Sequence, residues 1–177
     1  SHERVEILSE QELGRTLTRL ASQVVESVSN LGELILIGIP TRGVQLSRVL
    51  AKEVELLTGE QVSQGIIDPT FHRDDLVRIG TRMVHPTNLP TSVEGSQLIL
   101  VDDVIFTGRT VRAALEALQA WGRPQKMMLL VMVDRGHREV PIQPDFCGRN
   151  VPTSRSEKIE LRLKDVDGEE GVFLINS

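Results

Sequence analysis

Cysteine is nearly missing from this chain. One residue, Cys147, stands among 177, so no internal disulfide can form, and the thiol reads as a small buried hydrophobe. Long apolar runs are absent too: none approaches the ~18 residues that cross a bilayer. No secretory signal opens the chain, and with the lone thiol this points to the cytoplasm. No repeat, low-complexity tract or boundary is visible, so residues 1–177 read as a single domain. With 40% hydrophobic residues it can bury a core of its own. An excess of positive charge is also lacking. The net charge of -5 excludes blanket affinity for nucleic acid and leaves room only for a local basic face. Because no methionine opens the chain, Ser1 and His2 read as a processing remnant and stay outside the fold reading.

What is present centres on Gln97 to Trp121. A short apolar run, Leu98 to Val101, predicts a buried strand, and two acids follow it directly, Asp102 and Asp103. After Val104, Ile105 and Phe106 comes Thr107-Gly108-Arg109-Thr110. A helical pattern then places Val111, Ala114, Leu115 and Leu118 on one face, with Gly122 and Pro124 as stops. A turn between a strand's carboxyl end and a helix's amino end can hold a phosphate through unpaired N–H groups, the helix dipole and two threonine hydroxyls. Gly108 would let the backbone approach that anion. The two acids would then face neutral hydroxyls about one sugar ring away.

The flanking chain repeats the layout. Ser9 to Glu12 forms a capping box ahead of an amphipathic helix carrying Leu13, Leu17, Leu20, Val24 and Val28. Leu34 to Ile39 predicts a strand covered on both sides, and Pro40-Thr41-Arg42-Gly43 leads into a helix with Val44, Leu50, Val54 and Leu57. Two such turns at one edge of a parallel sheet would face one crevice. Val62 to Ile67 and Lys126 to Val133 predict further strands. Between them Asp68 to Gly95 is a long polar stretch with Arg73, Arg78, Arg82 and His85, of the kind that serves as a lid or binding loop. The tail alternates at Ile159, Leu161 and Leu163, breaks at Asp165 to Gly168 and resumes at Val172, which predicts an antiparallel hairpin closing the sheet.

The run VDDVIFTGRT resembles the phosphoribosyl pyrophosphate signature of the type I phosphoribosyltransferases. That resemblance implies an α/β fold with a central parallel sheet flanked by helices and a C-terminal antiparallel hairpin. It assigns the ribose hydroxyls to Asp102 and Asp103, the 5'-phosphate to Thr107, Gly108, Arg109 and Thr110, and the pyrophosphate to Thr41, Arg42 and Gly43. Mg2+ is the implied cofactor, reaching Asp102 and Asp103 only through the substrate. The long stretch matches the mobile loop that closes over pyrophosphate, so Arg73 and Arg82, with Arg78, become candidates to meet the leaving group.

Two further segments, VDRGHREVPIQPDFCGRNVPTSRSEKI and DPTFHRDDL, resemble the pyrimidine operon regulators, which are both uracil phosphoribosyltransferases and uridine-nucleotide-sensing mRNA attenuators. The resemblance implies uracil, phosphoribosyl pyrophosphate, UMP and UTP, and pyrimidine-operon leader mRNA as partners, and a homo-oligomer, dimer or higher. Purine-using relatives carry an acid just before the TG pair, where this chain has Phe106, which fits a pyrimidine. Base recognition falls to Phe106, Val133, Asp134 and Arg135. The RNA face falls to Thr18, Arg19, His137, Arg138 and Arg149. Ser22 and Gln143 depart from the family's His and Arg there, and His72 from its Tyr. Residues 134–158 carry five basic and four acidic side chains, a net of only +1. Three functions stay open: the bifunctional protein, an RNA-binding regulator with little catalysis, and a plain phosphoribosyltransferase, with another base specificity disfavoured by Phe106.

Overall fold

The computed structural model describes residues 3–71, 89–90 and 92–176. Most of the long polar stretch, with Arg73, Arg78 and Arg82, lies outside them. In chain order the elements are β1 (Arg4–Leu8), α1 (Glu10–Ser27), β2 (Leu34–Gly38), α2 (Arg42–Thr58), β3 (Ser63–Ile66), β4 (Gln97–Ile105) and α3 (Arg109–Leu118). There follow β5 (Lys126–Asp134), β6 (Phe146–Asn150), β7 (Lys158–Arg162), α4 (Lys164–Asp167) and β8 (Gly171–Ile175). Strands β3-β2-β4-β5-β6 form a parallel five-stranded sheet.

Alternation along the strands explains both layers. Leu34 and Leu36 of β2 point into a core shared with α1 and α2, where Leu13, Leu20, Leu46 and Leu50 are fully enclosed. Ile35 and Ile37 face the other way, into a second core with Val111, Ala114 and Leu118 of α3. A sheet covered on both faces needs strands apolar on both sides, as these are. The capping box at the start of α1 is present: Ser9 Oγ accepts from the Glu12 N–H and Glu12 Oε1 accepts from the Ser9 N–H, both at 3.2 Å.

Two expectations change. The tail hairpin, β7 with β8, does not close the central sheet. It joins β1 in a separate antiparallel sheet of order β1-β8-β7. Five mostly exposed residues such as β1 carry little periodic signal, and their partner lies at the far end of the chain. The acid pair is also inside β4 rather than beyond it. The strand continues because β5 continues beside it, with Asp102 opposite Val131 and Ile105 opposite Asp134, whereas β2 stops with Gly38 opposite Val101. Asp102 is therefore the first residue of β4 to lose its β2 neighbour. Here the strand order turns, with β3 lying to one side of β2 and β4 to the other, and the crevice of an open α/β sheet forms at such a point.

Candidate active site

Two loops border that crevice, one after β2 and one after β4. At the first, the Pro40–Thr41 peptide is cis, and α2 begins at Arg42 with Gly43 pressed against β4. A Cβ at Gly43 would lie 2.5 Å from the Val101 carbonyl oxygen and 3.2 Å from the Asp102 Cα. The missing side chain thus sets how closely the start of α2 approaches the acid pair. At the second loop, Gly108 takes φ +88°, a conformation glycine alone adopts without strain. The Arg109 N–H bonds Thr107 Oγ1 at 3.2 Å as α3 begins. The Thr107 carbonyl in turn accepts from the Glu139 N–H at 2.9 Å, tying the loop to the segment after β5.

Between the loops stand the acids. Asp102 is buried, and its carboxyl is held well above the ordinary carboxylate range, first by burial and then by the charge and hydrogen bond of Asp103. Its Oδ1 accepts from the Asp103 N–H at 2.9 Å, and Asp103 Oδ1 accepts from the Val104 N–H at 2.7 Å. A buried acid this close to a second one favours a ligand that brings hydroxyl donors or positive charge. Asp102 also lines a cavity of about 130 Å3 with Phe106, Thr107, Gly108, Thr110 and Val111, so acid, hydroxyls and helix start share one enclosure. A larger one, about 470 Å3, lies at the opposite end of the sheet around Leu118, Gly122 and Lys126. Size does not mark the site; the convergence of acids, threonines and a helix amino end does. Among the described residues no three His, Cys, Asp or Glu side chains gather as metal ligands. A Mg2+ ion fits here only as one that arrives with oxygens of its ligand, the acids adding at most a minority of its shell.

The phosphoribosyl transferase domain family matches residues 4–159. The chain belongs to that family. Its relatives include proteins named Bifunctional protein PyrR. It is 54% identical to that of Microcystis aeruginosa over 97% of both chains, and 45% identical to that of Pelotomaculum thermopropionicum over 100% of this chain and 98% of the other. Among solved structures the fold is similar to a hypoxanthine phosphoribosyltransferase from Trypanosoma cruzi, with a TM-score of 0.74 at 18% identity over 97% of this chain and 94% of that one. It is likewise similar to a hypoxanthine-guanine phosphoribosyltransferase from Bacillus anthracis, with a TM-score of 0.71 at 15% identity over 97% of each. At such identities these two establish the fold, a type I phosphoribosyltransferase fold.

Within this phosphoribosyltransferase frame the anticipated base residues divide. Phe106 is half-buried beside the cavity. The Arg135 guanidinium lies 3.9 Å from the centre of its ring, and His137 meets it edge-on at 5.6 Å. Arg135 is itself buried and donates to Thr153 Oγ1 at 3.1 Å and the Ser154 carbonyl at 2.9 Å, so it braces Phe106 and the 151–155 segment. The Val133 side chain is enclosed in the core. Asp134 accepts from the Gly136 N–H at 3.0 Å and from Arg138 at 2.6 Å.

The five residues anticipated for RNA fall into two groups. Thr18 and Arg19 are exposed on α1, and Arg19 reaches the Gly148 carbonyl of β6 at 2.5 Å, which sets it near exposed Arg149. His137 and Arg138 follow β5. His137 takes φ 69°, uncommon for a residue other than glycine, with Nε2 at 2.5 Å from the Thr153 carbonyl oxygen. Arg138 shows only 16% of its side chain and donates to the Phe106 and Ile142 carbonyls at 2.8 and 2.7 Å, to Asp134, and to Gln143 at 2.8 Å. It supports the β4 loop from behind. The catalytic candidates Arg73 and Arg82 lie outside the described residues. Sequence reasoning missed Asp167, which grips Arg42 across 125 positions of chain. Its only local signal was an acid in a turn.

Proposed function

We propose that this chain transfers the 5-phosphoribosyl group of phosphoribosyl pyrophosphate to uracil, giving UMP and diphosphate, and that it also binds pyrimidine-operon leader mRNA as a transcription attenuator. One observation carries the reading: the acid pair, the TGRT turn and the TRG turn meet at the switch point of the sheet, in a chain that follows proteins named Bifunctional protein PyrR nearly end to end.

In the reaction the bond from C1' to the pyrophosphate oxygen breaks, a bond from C1' to uracil nitrogen forms, and that nitrogen loses its proton. The protein supplies position and electrostatics rather than a covalent nucleophile. The α3 amino end with Thr107 and Thr110 holds the 5'-phosphate, and Asp102 and Asp103 accept from the ribose hydroxyls. The loop at Thr41 to Gly43 receives the leaving pyrophosphate, with Arg73 and Arg82 closing from the segment beyond β3. Asp102 and Asp103 would hold a Mg2+ ion only through the substrate, and the ion would supply neutralisation of the charge that builds on the leaving group. The base meets Phe106, held flat by Arg135, and backbone groups near Gly136, because the Asp134 carboxylate and the Val133 side chain are already engaged. The RNA contacts rest on Thr18, Arg19 and Arg149, with His137 at the edge.

The test is turnover by the purified chain with uracil, hypoxanthine and guanine, together with retention of leader RNA with and without UMP. UMP formation without purine turnover, and retention strengthened by UMP, are expected. Purine use equal to uracil use would sink the base assignment, and absence of specific RNA retention at low and moderate salt would sink the regulatory half.

A further inference from the structure

The turn between β7 and β8 reaches out of its own sheet to the first residue of α2. Its short helix α4 ends at Asp167, whose side chain is 4% exposed. This carboxylate is held on its own turn by the Leu163 N–H at 2.8 Å, and Arg162 stands 3.5 Å away. Across the interface it takes Arg42 in a two-point grip, Nε to Oδ2 at 3.2 Å and Nη2 to Oδ1. A guanidinium held by two parallel bonds is fixed in plane as well as in place. Burial pushes the Asp167 carboxyl upward, but the bonds from Arg42 and Leu163 and the charges of Arg42 and Arg162 outweigh this and hold it below its ordinary value. The anion therefore stays charged at neutral pH.

Asp167 takes the Nε and Nη2 edge of the guanidinium and leaves the Nη1 edge turned away from it. Arg42 remains about a third exposed at the mouth of the crevice, near enough to Asp103 for that charge to act on it. We infer that Asp167 is a positioning residue, which holds Arg42 so that its Nη1 edge meets the pyrophosphate of the ribosyl donor at the loop after β2. The inference rests on the reading of that loop given above. Asp167 touches no substrate and acts on donor binding through Arg42, a role beyond the hold it has on its own turn through Leu163.

The experiment measures binding of inorganic pyrophosphate with Mg2+ by calorimetry, and KM for each substrate against kcat, in the full chain. Asp167→Asn keeps an acceptor for the Leu163 N–H but loses the charge. It should weaken pyrophosphate binding and raise the KM for phosphoribosyl pyrophosphate by roughly five- to tenfold, as expected for one misplaced charge-assisted contact, with kcat and the uracil KM little changed. Asp167→Glu should recover part of the loss. In the Arg42→Ala background, Asp167→Asn should add nothing further. Arg42→Lys, which leaves the turn intact and keeps the charge without the two-point grip, should reproduce the defect even if Asp167→Asn folds poorly. Unchanged or tighter pyrophosphate binding by Asp167→Asn, or an equal loss in the Arg42→Ala background, overturns the inference while parental turnover stands. A parent chain that neither binds pyrophosphate nor makes UMP overturns the reading of the loop and the inference together.

Discussion

The two loops at the crevice share one local grammar, a strand followed by threonine, arginine and glycine and then a helix, yet they are held in opposite ways. The loop after β2 is held from outside. Gly43 is glycine because β4 lies against it, and Arg42 is gripped by the enclosed carboxylate of Asp167 on the turn between β7 and β8. The loop after β4 depends first on its own backbone. Gly108 is required first by its φ and then by the Val140 and Arg138 side chains against it, while Arg109 is 60% exposed and meets Glu139 on the surface at 2.9 Å. Local likeness therefore does not imply like support: a glycine can be demanded by a neighbour or by a dihedral angle, and the two demands fail differently.

The largest test of this contrast is Gly43→Ala against Gly108→Ala. A methyl group 2.5 Å from a backbone oxygen cannot be relieved by a side-chain movement, so Gly43→Ala should cost about 3 kcal/mol or more and lower the melting temperature by roughly 6 to 12 °C. Gly108→Ala meets a left-handed backbone, which costs about 1 to 2 kcal/mol, and side chains rather than backbone, Val140 at 2.9 Å and Arg138 at 3.1 Å. Equal losses in thermal melts would erase the distinction.

Next come the acids the loops enclose. Asp102→Asn should lower kcat/KM for phosphoribosyl pyrophosphate by about ten- to a hundredfold through loss of a charge-assisted bond, and Asp103→Asn likewise. The folded value of Asp102 lies above its unfolded value, so the folded state binds the proton more tightly. Stability from this group is full below the unfolded value and is lost as pH rises through the folded one. At neutral pH Asp102→Asn should therefore melt at the same or a higher temperature than the parent, and its stability should fall less as pH rises from 4. A variant that keeps its activity, or that melts lower at neutral pH with the parent's pH profile, contradicts the assignment.

Asp167 has the opposite sign. Its folded value is lowered, so its contribution is present above the unfolded value of about 4 and lost as pH falls through the folded one. Asp167→Asn should flatten the acid limb of the stability curve while leaving the limb above pH 6 parallel to the parent's. An unchanged acid limb would show that the grip on Arg42 adds nothing to stability.

A last pair separates Arg138 from Arg19, and the effect of Arg19 is the smallest. Removing Arg138 leaves the Phe106 carbonyl and Asp134 short of a donor behind the β4 loop, so Arg138→Ala should cost about 1 to 3 kcal/mol and impair uracil turnover along with RNA binding. Arg19→Ala should leave UMP synthesis near the parent's, weaken leader RNA binding, and flatten its salt dependence by about 0.7 if the arginine meets one phosphate. Normal turnover in Arg138→Ala would return that residue to the RNA face alone.

Much of the site was legible residue by residue. Period-two and helical patterns are carried by neighbours two to four positions apart, which is why the strand-turn-helix units, the capping box at Ser9 and Glu12 and the paired turns could be read directly. The acid pair and TGRT could be grouped because they are near neighbours in the chain, and the structure brings Asp102, Thr107 and Thr110 to one cavity. Missed were the partner of the tail hairpin, the continuation of β4 through the acids beside β5, and the engagement of Arg135 and Arg138 behind Phe106.

By itself the sequence determined the strand-turn-helix units from α1 onward and the two-faced sheet, since each is written in local spacing and residue chemistry. Only the tertiary structure decided which glycine is demanded by packing, that β1 pairs with β8 from the far end of the chain, and that Asp167 grips Arg42 from 125 positions away. Those pairings depend on where the whole chain path brings two segments together, and side-chain spacing within one segment holds no record of that path.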